Sequence, residues 1–294
     1  MNVGTYRGVR IKISWAFLVV IGLFVLLERL PEMLMLFGIV VVHEMAHVAV
    51  ALRFGQRVEE IELLPFGGVA RVESPLELNP AVERTVAIAG PLTNFMLFGV
   101  GYVVFTYLDW NLVWIRFFMQ ANAALGLFNL LPALPLDGGR ILRASLAERL
   151  GFGRATECAV KLGKGLSLVL MIIGSFGLAT GLFNVSLMVM SIFIFAAAKK
   201  EQANAFFVLF RYITRKKDEV QAQTTLQVEQ LAVTKKARIR DVFQRIVPGR
   251  YHLIWVIDES GETIGVVTEG DFIDGLLLRG MDTTLQELVC NEAE

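Results

Sequence analysis

Residues His43, Glu44 and His47 stand in the order H-E-x-x-H inside the apolar run from Leu34 to Ala51. On a helix, positions i and i+4 share one face, so both imidazoles can converge on a single ion, with Glu44 beside the water on that ion. This is the pattern of zinc-dependent peptide hydrolysis, in which the metal acidifies a water and a carboxylate takes its proton as the hydroxide attacks a carbonyl. The chain holds only three histidines, so two of them share this motif. An ionised carboxylate near a bilayer centre costs about 2.5 to 3.5 kcal/mol on the gentlest insertion scale, so Glu44 needs a chemical reason to sit there. His252, in the polar C-terminal part, reads as an ordinary, partly exposed histidine.

Catalytic zinc usually takes three protein ligands and keeps one position open for water, and the motif supplies two. A third comes from the run Asn129 to Arg140. Pro132 and Pro135 prevent a regular helix, so an apolar stretch at membrane depth runs extended. Asp137 follows it, and Gly138 and Gly139 let the backbone turn sharply there. Asp137 is the natural third ligand; alternatively it caps a helix from Arg140 to Leu150. The Asn129 amide suits a substrate carbonyl or developing oxyanion, or else a bond between helices.

These residues need a membrane scaffold. The chain has 294 residues, of which 55% are hydrophobic and 19% charged, and its mean hydropathy is +0.57, well above a soluble domain. A net charge of zero gives no reason to expect nucleic acid as a partner. Cys158 and Cys290 lie far apart without metal-ligand spacing, which fits reduced thiols. Six spans are predicted: Ile13 to Leu27, the H-E-x-x-H helix, Val86 to Tyr107, Val113 to Leu131, Leu166 to Phe183 and Val185 to Ala198. No small-residue cleavage site follows the first run, so it reads as an uncleaved span. Lys and Arg concentrate at the N-terminus, after spans two and four, and after span six. The positive-inside rule then puts both termini in the cytosol and His47 nearer the cytosolic end of its span.

Between spans two and three, Glu59 to Glu73 reads as a β-hairpin turning at Pro-Phe-Gly-Gly. Such a hairpin can dip into the membrane only if its backbone is buried in protein or lines a wet cavity. An edge near Ile61 to Leu64 could then pair with an extended peptide; alternatively the hairpin merely connects helices. In span three, Gly90 and Pro91 suit close helix packing, and Asn94 suits a hydrogen bond between helices. After Lys199, Glu201 to Gln223 reads as a basic helical connector with Phe206, Phe207, Leu209, Phe210 and Tyr212 on the membrane surface. From about Leu226 the pattern is soluble α/β, with a helix Ile239 to Ile246, strands His252 to Ile257 and Thr263 to Val267, and a helix Asp271 to Leu278.

Taken together, His43-Glu44-x-x-His47, the Leu64-Pro65-Phe66-Gly67-Gly68 loop, Ala89-Gly90-Pro91 and the Asn129 to Gly139 run resemble the site-two protease family of intramembrane zinc metalloproteases. The likeness covers about Ile13 to Ala198 and is nearest the stage IV sporulation protein FB type. It implies peptide-bond hydrolysis in or near a membrane segment, with one Zn2+ per chain on His43, His47 and Asp137 and with Glu44 as general base. It also implies that Phe66, Asn129 and Pro135 engage substrate. The C-terminal part resembles a CBS motif, in whose signature Gly265 to Asp271 the residues Thr268 and Asp271 would contact ATP; helix capping explains the same pair. Only one motif is visible where a module needs two, which implies pairing between two chains or a degenerate domain that docks substrate.

The expected whole is a polytopic α-helical membrane protein with six transmembrane helices and a membrane-dipping β-hairpin, plus a small cytosolic α/β CBS-like domain. Its divisions are 1–198 for the metalloprotease domain, 199–224 for a linker and 225–294 for the CBS-like domain. The expected substrate is a membrane-tethered regulatory protein. If the sporulation resemblance holds, that is a sigma-factor precursor, with membrane partner proteins that inhibit the enzyme. The alternative is a non-proteolytic metal-dependent membrane sensor or transporter, which needs metal ligands but not a base such as Glu44.

Overall fold

A computed structural model describes residues 2–6, 9–13, 26, 28–56, 58–64, 67–72, 79–107, 112–179, 185–220, 225 and 227–289. The chain divides into two compact units, Met1–Glu77 with Ala81–Ile141, and Leu78–Pro80 with Leu142–Glu294. In the first unit, β1 (Asn2–Tyr6) pairs antiparallel with β2 (Val9–Ile13). Strand β2 runs parallel to β3 (Val58–Leu64), which pairs antiparallel with β4 (Gly67–Val72). The hairpin expected after the second span is thus present, but Gly67 and Gly68 belong to β4 rather than to the turn. Pro65 and Phe66 lie outside the described residues.

The β1–β2 hairpin was not anticipated, because Arg10 and Lys12 were read as the basic flank of a span. They alternate with Val9, Ile11 and Ile13, which is also the period of a strand. The consequence concerns β3. With the order β1-β2-β3-β4, it is hydrogen-bonded on both sides, so the open edge expected near Ile61 to Leu64 is instead an interior strand. The edges of this sheet, among the described residues, are β1 and β4.

Helix α1 (Leu30–Arg53) starts with Pro31 in its first turn, where a missing N–H costs nothing, and ends before Gly55, whose φ of +75° suits glycine. It is followed by α2 (Pro80–Tyr107), which runs through Pro91, by α3 (Leu112–Asn129), and after a non-helical stretch by α4 (Asp137–Leu150). Among the described residues, α1, α2 and α5 (Phe152–Ala179) are long and apolar enough to cross a membrane. The first expected span falls almost wholly outside the described residues.

In the second unit α5 packs along α6 (Val185–Val220). The expected sixth span and the connector after it are one helix of 36 residues. At 1.5 Å per residue this is about 54 Å, longer than the roughly 30 Å of a bilayer core. Of the residues expected on a membrane surface, Phe206 and Phe207 are exposed, but in the same half of the helix Leu209 and Ile213 are buried. They join Phe152 of α5 in one core with Ile254, Val256 and Phe272.

The sheet over this core has the order β5-β6-β7. Strand β5 (Val228–Thr234) runs parallel to β6 (Tyr251–Ile257), which pairs antiparallel with β7 (Thr263–Thr268). Helices α7 (Ile239–Phe243), α8 (Glu269–Arg279) and α9 (Leu285–Val289) complete it. Strand β5 and α9 had not been expected. Burial alternates along β6, and His252 sits on the inner face at 1% exposure, contrary to the partly exposed reading. Its Nε2 accepts the Val247 N–H at 3.1 Å, and its backbone N–H donates to Glu269 Oε2 at 2.9 Å.

Phe152 is also covered by the buried Arg143 guanidinium, 5.4 Å above its ring, and Arg143 in turn lies 3.5 Å from the Glu201 carboxylate. Phe152→Ala should therefore open a cavity and cost about 3 to 5 kcal/mol. Ile172→Ala changes a residue 60% exposed on the same helix. Thermal unfolding of the detergent-solubilised protein should show a large drop for the first variant and a small one for the second; equal drops would mean that Phe152 does not anchor this core.

Candidate metal centre and active site

Helix α1 presents His43 and His47 one turn apart, with ring planes at 86° and Nε2 atoms 3.1 Å from each other. The Oδ2 atom of Asp137, at the start of α4, lies 3.1 Å from His43 Nε2 and 3.2 Å from His47 Nε2. All three residues are buried. The opposite ring nitrogens fix the tautomers. His47 Nδ1 lies 2.7 Å from the Val86 carbonyl oxygen, and His43 Nδ1 is hydrogen-bonded to Asn94 Oδ1. A carbonyl only accepts, so the Nδ1 positions carry the protons and each Nε2 offers a lone pair. Two lone pairs and a carboxylate oxygen then face one another at about hydrogen-bond distance with no proton between them. Such a cluster repels itself until a cation lies among the donors, and two neutral imidazoles with one carboxylate suit catalytic zinc.

The backbone makes room for this cluster. A methyl group at Gly90 of α2 would collide with His47 Nε2 and His43 Cε1, so the glycine read as a helix-packing residue is where the imidazoles rest. At the other wall, Pro132 and Pro135 keep residues 130–136 out of a helix, and the stretch is closed by turns such as Leu136 N–H to the Ala133 carbonyl at 2.9 Å. Side chains at Gly138 or Gly139 would run into the backbone at Leu130 or Ala133, which is why α4 can begin so close under this turn. Asp137, the first residue of α4, turns its carboxylate to the histidines, and Arg140 Nη1 lies 3.8 Å from its other oxygen. Glu44 is half-buried beside His43, with its carboxylate in electrostatic reach of His43, His47, Asp137 and Arg140.

Other residues singled out in the sequence fall elsewhere. Asn129 ends α3, and its Nδ2 donates to the Leu125 carbonyl at 3.1 Å. Pro135 is half-buried in the broken run, and Phe66 lies outside the described residues. Thr268 and Asp271 belong to the second unit, where they cap α8. The Thr268 N–H donates to Asp271 Oδ2 at 3.1 Å, the Asp271 N–H to Thr268 Oγ1 at 3.3 Å, and the Thr268 hydroxyl also binds Asp271 Oδ2. Capping accounts for both side chains. Conversely, Asn94 touches the site directly, and Asn122 of α3, which drew no attention in the sequence, accepts from Asn94 Nδ2 at 3.0 Å. The usable signal was spacing: Asn94 lies four residues after Gly90, on the face that meets the histidines.

Residues 31–113 and 108–173 match the family model for peptidase family M50. Rip3 of Mycobacterium tuberculosis is 31% identical over 293 residues, covering 90% of this chain and 73% of that protein. The chain belongs to peptidase family M50, the site-2 proteases. A zinc metalloprotease of Methanocaldococcus jannaschii is 28% identical over 270 residues, covering 87% of this chain and 75% of its own length. Stage IV sporulation protein FB of Bacillus subtilis is 26% identical over 276 residues, covering 92% and 93%. Among solved structures, the site-2 protease from Methanocaldococcus jannaschii superimposes with a TM-score of 0.56 at 33% identity, over 69% of this chain and 94% of that one. This M50 member is accordingly a membrane zinc metalloendopeptidase.

The bare face of Gly90 gives a test of the geometry. Gly90→Ala should push the imidazoles off their common point, so that purified protein carries less than one zinc per chain while remaining folded. Elemental analysis reads this directly, and full zinc in the variant would show that the rings have room to spare.

Proposed function

We propose that this chain cleaves a peptide bond in or next to the membrane segment of a membrane-tethered regulatory protein, with His43, His47 and Asp137 as the ligands of one zinc and Glu44 as general base. The observation that carries the reading is the convergence of three buried donors, with a carboxylate adjacent in the same helix. Zinc held by these residues would supply an acidified water and Lewis-acid help to the scissile carbonyl. Glu44 accepts the proton of the attacking water and delivers it to the leaving nitrogen as the C–N bond breaks. Arg140 lies beside the Asp137 carboxylate, 3.8 Å from Oδ1. A sensor or transporter would need the ligands but no base, and Glu44 within reach of all three favours hydrolysis.

A substrate span arrives as a helix whose carbonyls are shielded, so it must unwind before attack. Unwinding frees backbone groups that cost several kcal/mol each if left unpaired in an apolar setting. The strand best suited to pair them is β4, an edge strand packed against the histidine-bearing α1. Asn129 and Pro135 are assigned to the other side of the substrate, and Phe66, in the hairpin loop, is assigned to substrate contact as well. For Asn129 this requires its amide to leave the Leu125 carbonyl.

The topology we propose has six spans with both termini cytosolic, supported by the Lys and Arg pattern and by α6, which carries the C-terminal fold out of the membrane on its own end. In this reading 1–198 is the protease domain, 199–224 a connector and 225–294 a CBS-like domain that docks substrate or pairs with a second chain. ATP at Thr268 and Asp271 has the weakest support, since both already cap α8. The likeness to a sporulation protein makes a sigma-factor precursor the first substrate to try, together with membrane partners that inhibit the enzyme.

Co-expression with membrane-tethered transcription-factor precursors tests the reading. Glu44→Gln should keep its zinc and lose cleavage by about two to four decades, and Asp137→Ala should lose the zinc as well. Wild-type cleavage by Glu44→Gln would end the hydrolytic assignment. For docking, a cysteine at Ala70 in β4 should cross-link to cysteines near the scissile bond more efficiently than one at Ile61 in β3; the reverse order would move the substrate off β4.

A further inference from the structure

His47 is anchored through a backbone carbonyl, but His43 depends on a side chain, and that side chain has a partner of its own. The order runs Phe118 carbonyl, Asn122, Asn94, His43, across α3, α2 and α1. The Phe118 carbonyl can only accept, so it takes the Asn122 Nδ2 donor at 2.9 Å. Asn122 must then turn Oδ1 towards Asn94, whose Nδ2 donates to it at 3.0 Å. Asn94 is left with only Oδ1 for His43, so His43 must donate from Nδ1 and keep the Nε2 lone pair bare. Asn94 and Asn122 are each at 0% exposure, so water cannot substitute for a lost partner. A buried amide flipped the wrong way would leave donors and acceptors unpaired at about 1 to 3 kcal/mol apiece. The polarity of the whole chain of bonds is therefore set at its far end by one backbone carbonyl of α3.

We infer that Asn94, held in orientation by Asn122, is a positioning residue that fixes the tautomer and ring angle of His43 for metal binding. This rests on the zinc assignment above. Neither asparagine touches the reacting atoms; both act through the imidazole.

The test is zinc affinity of the full-length protein in detergent, by competition with a chromophoric chelator, with the visible spectrum of the cobalt(II)-loaded protein as a second readout. Asn94→Leu keeps the bulk but removes the acceptor and should weaken zinc binding about 10- to 100-fold, with an altered cobalt spectrum. Asn94→Asp restores an acceptor to His43 while losing the donor to Asn122, so it should regain most of the affinity despite a lower unfolding temperature. Asn122→Leu leaves Asn94 free to flip and should fall between wild type and Asn94→Leu. A purely structural asparagine would make Asp no better than Leu for zinc, and that result, or a wild-type cobalt spectrum in Asn94→Leu, overturns the inference. If the wild type itself binds no zinc, the metal assignment falls and this inference with it; wild-type binding that Asn94→Leu also retains sinks the relay alone.

Discussion

Two imidazole lone pairs and a carboxylate, brought to one point away from water, repel each other unless a cation lies among them. The surroundings of His43, His47 and Asp137 are best understood as the means of enforcing that meeting. An α1 helix sets the histidines one turn apart. Gly90 gives the rings space, while the Val86 carbonyl and Asn94 hold them from behind. The double-proline break and the paired glycines bring Asp137 in from the far side. Each of these features constrains where the three donors can sit, and the collisions at Gly138 and Gly139 involve backbone, so the fold and the donor geometry are set together.

This constraint explains which parts of the molecule were legible in the sequence. H-E-x-x-H, the broken run and Asp137 each break a local rule: polar residues in an apolar span, prolines at membrane depth, glycines beside a carboxylate. Such departures are visible one residue at a time. The Asn94 to Asn122 bond is not, because a single amide in an apolar helix looks the same whether it joins two helices or aims a histidine. Its meaning depends on which atom of which neighbour it faces, and that is set by three helices at once.

Elsewhere the errors have simple physical causes. The first strands were hidden because five residues of alternation beside a basic cluster are as good a membrane flank as a strand. Helix α6 was divided at Ala198 because the composition changes there, yet no glycine or proline interrupts the chain from Val185 to Val220, so nothing stops the helix. Once it continues, Leu209 and Ile213 reach a packed core, while Phe206 and Phe207 stay exposed. His252 was misjudged because alternation along β6 puts it on the inner face, where its ring Nε2 accepts the Val247 N–H and its backbone N–H donates to Glu269.

The sheet of the first unit limits the docking proposed for the substrate. Pairing of β2 with β3 makes β3 an interior strand, and among the described residues β4 is an edge strand that packs on α1. An extended substrate there recovers only as many hydrogen bonds as β4 has outward groups, and β4 is six residues long. The pairing can offset a short stretch of unwinding but not the opening of a whole span. Helix-weakening residues near the scissile bond then matter in proportion to their cost in a helix, about 1 kcal/mol for glycine relative to alanine, or roughly a fivefold change in the population of the unwound form. Selectivity in such an enzyme would come as much from how readily the substrate helix opens as from side-chain contacts at the metal.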